Sequence, residues 1–190
     1  MSPLLEKALR IAAVAHDGQT RKASSLPYFV HPAAVTLVLV RAGFTQDGLL
    51  AAAVLHDVVE DTELTLDDLL DEFPAAVCEI VDGASERKAD ATGQKRSWHD
   101  RKADHIEVIR RASLEVAAVV LADKLHNLTS MQFDLDGGHE LWLRFNASKS
   151  DVLAYYRSVA DAAHRNDQRI EKLVSECLAA IDRLARHSST

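Results

Sequence analysis

The chain has 190 residues, 47% apolar and 27% charged, with 7 Gly, 4 Pro and 2 Cys. That is enough length to bury one core without a disulfide staple, and the composition excludes both a disordered chain and a turn-rich β architecture. A net charge of −7 argues against a general binder of nucleic-acid polymers, which needs a basic field over much of one face. No charged-then-apolar leader opens the chain. The longest apolar runs, such as AAVTLVLV from Ala33, fall far short of the roughly 18 residues of a membrane span. The expectation is a cytoplasmic protein with no membrane partner.

Leu4 to His16 places Leu5, Ala8, Leu9, Ala12 and Ala13 on a helical stripe, and HDGQTRKASSLPYFVHP then breaks it with Gly18, two serines and two prolines. A second helix is expected from about Pro32 to Arg41, proline in its first turn and Gly43 after its end. The third is LLAAAVLHDVVEDTELT, Leu49 to Thr65, which begins as hydrocarbon and ends on His56, Asp57, Glu60 and Asp61. If helical throughout, it stacks His56 on Glu60 and Asp57 on Asp61. Thr65 caps TLDDLLDEFP, whose first turns are acidic, and Pro74 separates that helix from AAVCEIVDGAS. SERKADATGQKRS has no period and forms a connection. Ser97 to Arg111 and Leu114 to Met131 are two further helices; after DLDGGHE come a pair near Leu141 to His164 and Ile170 to His187. The fold expected is all-α, about eight to ten helices in a single domain over 1–190. Cys78 and Cys177 lie in apolar helical contexts and are expected as buried thiols.

Charge is not spread evenly. Arg87 to Arg111 holds eight Lys/Arg against four Asp/Glu, so +4 here leaves −11 elsewhere. A local positive patch on an acidic protein suits a small polyanion.

Four residues of metal-ligand type sit where apolar sequence drives them inward: His31 before the second helix, His56 and Asp57 at the end of the third, and Asp123 after EVAAVVLA. A buried ionised carboxylate costs several kcal/mol unless it is paired or holds a cation. Mixed imidazole and carboxylate ligands suit Mn²⁺, Fe²⁺ or Zn²⁺ and leave room for water, whereas a closed structural zinc site wants cysteines. An ion there would acidify water and polarise a phosphoryl oxygen, with Glu60 and Asp61 one turn on to accept or orient the proton.

HDGQTRK, PYFVHP, AAAVLHDVVEDT and LADKLHNL, in that order over about Leu4 to Tyr156, resemble the hydrolase domain of the RelA/SpoT alarmone enzymes, within the HD phosphohydrolase superfamily. The resemblance implies a Mn²⁺-dependent hydrolase that removes the 3′-pyrophosphate of (p)ppGpp. It implies metal ligands at His31, His56, Asp57 and Asp123, catalytic carboxylates at Glu60 and Asp61, and nucleotide contacts from Arg21, Lys22 and Asn127. KRSWHDRK, LWLRFN and YYR look like the stand-alone bacterial members, and Arg101 and Lys102 are expected toward the phosphates. The residues 157–190 lie beyond the resemblance, as an extension that could close the domain or pair two subunits. SSLPY and ASERK depart from the usual wording on pocket loops, which leaves open an adenosine alarmone, a nucleoside monophosphate or the 2′-phosphate of NADPH as substrate. A non-catalytic nucleotide-binding module is the reading from another class. Of the remaining histidines most are expected at the surface, while His16 and His126, inside the family words, could steer a ligand.

Overall fold

A computed structural model describes residues 2–21, 25–88 and 92–187, except the side chain of Arg144. Among these residues ten α-helices and one 3₁₀ turn run in order: α1 Pro3–Ala15, α2 Val30–Ala42, α3 Asp47–Leu55, α4 Val58–Asp61, α5 Leu66–Glu72, α6 Ala75–Ala84, α7 Trp98–Arg111, α8 Leu114–Asp136, the turn Trp142–Arg144, α9 Lys149–Ala163 and α10 Gln168–Arg186. The all-α expectation is met. Among the described residues the extended pairing is a single bridge, Thr20 with Pro27.

Local chemistry sets the ends of these helices. Ser2, Ser97, Ser113 and Ser148 each accept a backbone N–H as N-caps, and Thr65 and Asp68 form a reciprocal capping box. Gly43 closes α2 at φ 103°, a conformation that a side chain would strain.

Two apolar clusters meet at α3. One gathers Val35 and Leu39 of α2, Val116 to Ala122 with Leu125 and Leu128 of α8, Val159 and Ala163 of α9, and Leu173, Cys177, Ile181 and Leu184 of α10. The other gathers Ala8 and Ala12 of α1, Leu69 of α5, and Val77, Cys78 and Val81 of α6. Helix α3 contributes Leu49, Leu50 and Ala53 to the first and Ala51, Ala52, Val54 and Leu55 to the second, so every residue from Leu49 to Leu55 is buried. This is why that run reads as hydrocarbon: from Leu49 onward the helix has no solvent face, and its C-terminal residues emerge between two cores.

The structure departs from expectation in several places. The third helix is not continuous: it stops at Leu55, turns through His56 and Asp57, and resumes as the one-turn α4. Asp61 N–H still bonds Asp57 C=O at 2.8 Å, but the carboxylate of Glu60 goes to the backbone of Glu86 rather than lying over His56. Helix α2 begins at Val30, which puts His31 inside its first turn, and α8 continues to Asp136. The region after Leu141 is a 3₁₀ turn before α9 starts at Lys149. His105, expected at the surface, is buried, with Nδ1 2.8 Å from the Tyr155 hydroxyl. Residues 89–91 of the 85–97 connection, and Lys22, lie outside the described residues. Both cysteines are buried free thiols. No helix among the described residues is long and apolar enough to cross a membrane.

Candidate active site

Two of the sequence words are folded against each other before any ligand is considered. Tyr28 N–H donates to Gln19 C=O and Arg21 N–H to Leu26 C=O, both at 2.9 Å, closing the loop between α1 and α2. This lays the Arg21 guanidinium 5.6 Å from the centre of the Tyr28 ring and delivers His31 to the end of α3. Gln19 Nε2 donates to Asp61 C=O at 2.9 Å, and its Oε1 meets His16 Nδ1 at 2.9 Å, so α1 is tied to α4 through one side chain.

His31, His56 and Asp123 offer ligand atoms that all lie within 4.8 Å of one another, each residue buried. Asp57 Oδ2 stands 3.0 Å from His56 Nε2 and 3.4 Å from His31 Nε2; Asp123 Oδ1 stands 3.1 Å from His31 Nε2 and 3.9 Å from His56 Nε2. His56 Nδ1 donates to Ala53 C=O at 2.8 Å, which fixes the tautomer and aims Nε2 at the carboxylates, where it is buried without a hydrogen-bond partner. A bare lone pair facing a carboxylate at that distance repels it, and either a proton or a cation relieves the repulsion. Burial works against a proton, yet Asp57 and Asp123 outweigh it and carry His56 up to about 9. His56 and His31 hold Asp57, and Lys124 with the two histidines holds Asp123, well below the usual carboxylate range against the effect of burial.

The donor set fits a divalent ion. A cation on His31 Nε2 requires the proton on Nδ1, and His126 Nδ1 lies 2.7 Å away to accept it. Burial, with the nearby charges of His31 and Arg21, depresses His126 to about 4, which keeps it a neutral acceptor near pH 7. Asp123 is further held by Lys124 on Oδ2 and by Asn127 Nδ2 on Oδ1, and Arg21 in turn donates to Asn127 Oδ1 at 2.7 Å. A line of contacts therefore runs from Asp123 through Asn127 to Arg21.

Glu60 and Asp61 form the outer edge. Glu60 Oε2 accepts Glu86 N–H at 2.9 Å, and Asp61 Oδ2 accepts the Tyr28 hydroxyl at 3.1 Å. The one proton of that hydroxyl is shared with Asp57 Oδ2 at 2.6 Å, so its oxygen sits between the two carboxylates. Lys88 Nζ pairs with Asp61 and lies 3.3 Å from Glu60 Oε1. Burial raises the Glu60 carboxyl above its ordinary value. Glu60, Asp61 and Lys88 line a groove of about 870 Å³ together with Gln19, Thr62 and Glu63.

The HD domain family matches residues 8–138. The chain belongs to the HD-domain family. HD-domain hydrolases bind a divalent metal, in keeping with the buried His31, His56 and Asp123 cluster. The chain is 38% identical over 127 residues to the guanosine-3′,5′-bis(diphosphate) 3′-pyrophosphohydrolase of Haemophilus influenzae, covering 64% of this chain and 18% of that enzyme. It thus spans about a fifth of the length of that relative. It is 36% identical over 134 residues to the Drosophila melanogaster protein of the same name, MESH1, covering 70% of this chain and 72% of that one. Among solved structures, one described as a metazoan ortholog of SpoT that hydrolyses ppGpp superposes with a TM-score of 0.78 at 29% identity, over 94% of this chain and 96% of that one. A Listeria monocytogenes structure superposes at 0.71 with 32% identity, over 85% and 99% of the two chains. The HD domain described here is homologous to the Haemophilus and Drosophila hydrolases.

Of the residues singled out from sequence, His31, His56, Asp57, Asp123, Asn127 and Arg21 come together around one centre, with Glu60 and Asp61 beside it. Arg101 and Lys102 pair instead with the carboxylate of Glu86. Sequence reasoning passed over Tyr28, Glu86, Lys88 and Lys124. Tyr28 lies three residues before His31 in the PY word, and Lys124 follows Asp123 directly, so both are traceable to the words already singled out. Glu86 and Lys88 lie in the ASERK stretch, whose departure from the family wording marks the loop but not the part either residue plays.

Proposed function

We propose that this HD domain hydrolyses the 3′-pyrophosphate of (p)ppGpp, giving GDP or GTP and pyrophosphate. The observation that carries the proposal is the buried cluster of His31, His56, Asp57 and Asp123 with Glu60 and Asp61 at its edge. The activity printed for the relatives supports the choice of substrate. His31, His56, Asp57 and Asp123 would hold the ion, for which Mn²⁺ suits the mixed nitrogen and oxygen donors. When bound, the ion supplies positive charge to the phosphoryl oxygens and acidifies the attacking water.

The residues of the chain do the remainder. Glu60 takes the proton from the water as its oxygen bonds to the phosphorus next to the ribose. The bond from that phosphorus to the 3′-oxygen breaks, and the 3′-oxygen leaves as a hydroxyl with the proton that Glu60 took from the water. Asp61, fixed by Tyr28 and Lys88, orients the water. Arg21 and Asn127 contact the nucleoside, joined by Lys22, and Arg101 and Lys102 offset charge on the phosphates. The substrate is proposed as a single nucleotide rather than a polymer, in line with the net charge of −7, and the proposed site of the work is the cytoplasm.

The test is pyrophosphate release from ppGpp with and without Mn²⁺, beside Asp57→Ala and a panel of pppApp, NADPH and nucleoside monophosphates. Metal-dependent release that vanishes in Asp57→Ala is the expected result. No turnover of ppGpp while another panel member reacts would overturn the substrate and keep the chemistry.

A further inference from the structure

Outside the metal cluster, the most buried group of charges is Glu86 with Arg101 and Lys102, whose side chains are 7%, 18% and 20% exposed. Two cations from the start of α7 share one carboxylate, Arg101 on Oε1 and Lys102 on Oε2. Burial opposes the charge on Glu86, yet the hydrogen bond and charge of Lys102, with the charge of Arg101, hold the carboxyl below its ordinary value. The pairing leaves a net positive charge and an unmet donor, because Arg101 Nε is buried without an acceptor. Such a cluster stabilises a fold poorly for what its desolvation costs, and an apolar set would serve packing better.

The other end of the same residue reaches the chemistry. Glu86 N–H is the donor at 2.9 Å to Glu60 Oε2, and Ser85, its neighbour, ends α6 by donating its hydroxyl to Val81 C=O at 2.8 Å. One residue therefore touches both the positive pair and the proposed base. Lys102 Nζ also lies 4.6 Å from the centre of the Tyr155 ring, which limits where the pair can move.

We infer that Glu86 is a positioning residue: its carboxylate fixes Arg101 and Lys102 for a diphosphate while its backbone N–H fixes Glu60, keeping bound phosphate and base in register. This rests on the (p)ppGpp hydrolase reading for the identity of the diphosphate.

Glu86→Gln keeps the size and the backbone donor and removes the charge that gathers the cations. The experiment compares wild type, Glu86→Gln and Glu86→Asp for KM and kcat with ppGpp, for Kd of inorganic pyrophosphate by calorimetry with Mn²⁺ present, and for melting temperature. In Glu86→Gln, KM and the pyrophosphate Kd are expected to rise about tenfold with a smaller fall in kcat, and Glu86→Asp is expected to recover most of the binding. A merely structural Glu86 lowers the melting temperature and leaves KM and Kd at their wild-type values, and that result overturns the inference. So does tighter pyrophosphate binding in Glu86→Gln, which would make Glu86 a competitor for the cations, or a wild-type protein that binds no pyrophosphate. Should Glu86→Gln fail to fold, Glu86→Ala takes its place: a rise in both constants supports the role, and unchanged constants remove it. If wild type binds pyrophosphate but releases none from ppGpp, the functional reading falls, while the comparison of Kd values still decides what Glu86 does.

Discussion

Lys88 holds the proposed base from two sides. Its ammonium donates to Glu60 C=O at 3.1 Å, lies 3.3 Å from Glu60 Oε1 and pairs with Asp61. Burial is the largest influence on the Glu60 carboxyl and raises it, and the charges of Asp57 and Asp61 add to the rise. The Glu86 N–H and the charge of Lys88 pull the other way without cancelling it, so the folded value lies above the ordinary 4.5. A base must be ionised to accept a proton, and activity is therefore lost as pH falls through that raised value. Lys88→Gln removes one of the two lowering influences, so Glu60 rises further and the acid limb of kcat moves to higher pH. Profiles of kcat against pH for wild type and Lys88→Gln measure this directly, and a limb that stays in place would remove Lys88 as the partner of the base. In sequence, Lys88 is one charge among eight in a basic window, and nothing there separates a residue that meets a buried carboxylate from one that meets water.

At the scale of elements, α6 sits on α8 through a position with no side chain to spare. A Cβ built on Gly83 would lie 2.8 Å from Val116 Cγ2, and Val116 is buried in the α8 core. Gly83→Ala forces the helices apart and should cost about 1–3 kcal/mol in urea unfolding, outweighing the helix propensity that alanine gains. Because α6 runs directly into Ser85 and Glu86, kcat for ppGpp should fall as well; unchanged stability would mean that the interface yields freely. The helices themselves were legible from their periods, caps and prolines, since those signals act within a turn or two. The break at His56 and Asp57 was not, because it serves the cluster: a straight helix would keep Glu60 over His56, whereas the turn frees Glu60 to reach Glu86. Asp123 was legible because an apolar run forced a carboxylate inward. Its pairing with Lys124 was not, because a lysine beside a buried acid reads as surface charge until α8 is packed against its neighbours.

For the molecule as a whole, the cluster is a joint between helices far apart in sequence. His31 comes from α2, His56 and Asp57 from the turn after α3, and Asp123 from α8, which α10 backs through Leu173 and Ile181. An ion that binds this arrangement and not the unfolded chain must stabilise the fold, by about 2.7 kcal/mol at a free concentration one hundred times its Kd. The melting temperature should therefore rise with added Mn²⁺ and fall back with a chelator. His56→Ala removes a ligand whose Nε2 faces the cluster, so it should lose most of that metal-dependent shift. Leu173→Ala separates ligand loss from general weakening: a cavity under α8 should cost about 2–5 kcal/mol and lower the starting temperature, while the shift on adding Mn²⁺ persists. A His56→Ala protein that keeps the full shift would place the ion elsewhere, and a Leu173→Ala protein that loses it would show that the helices, rather than the ligands alone, hold the site in shape.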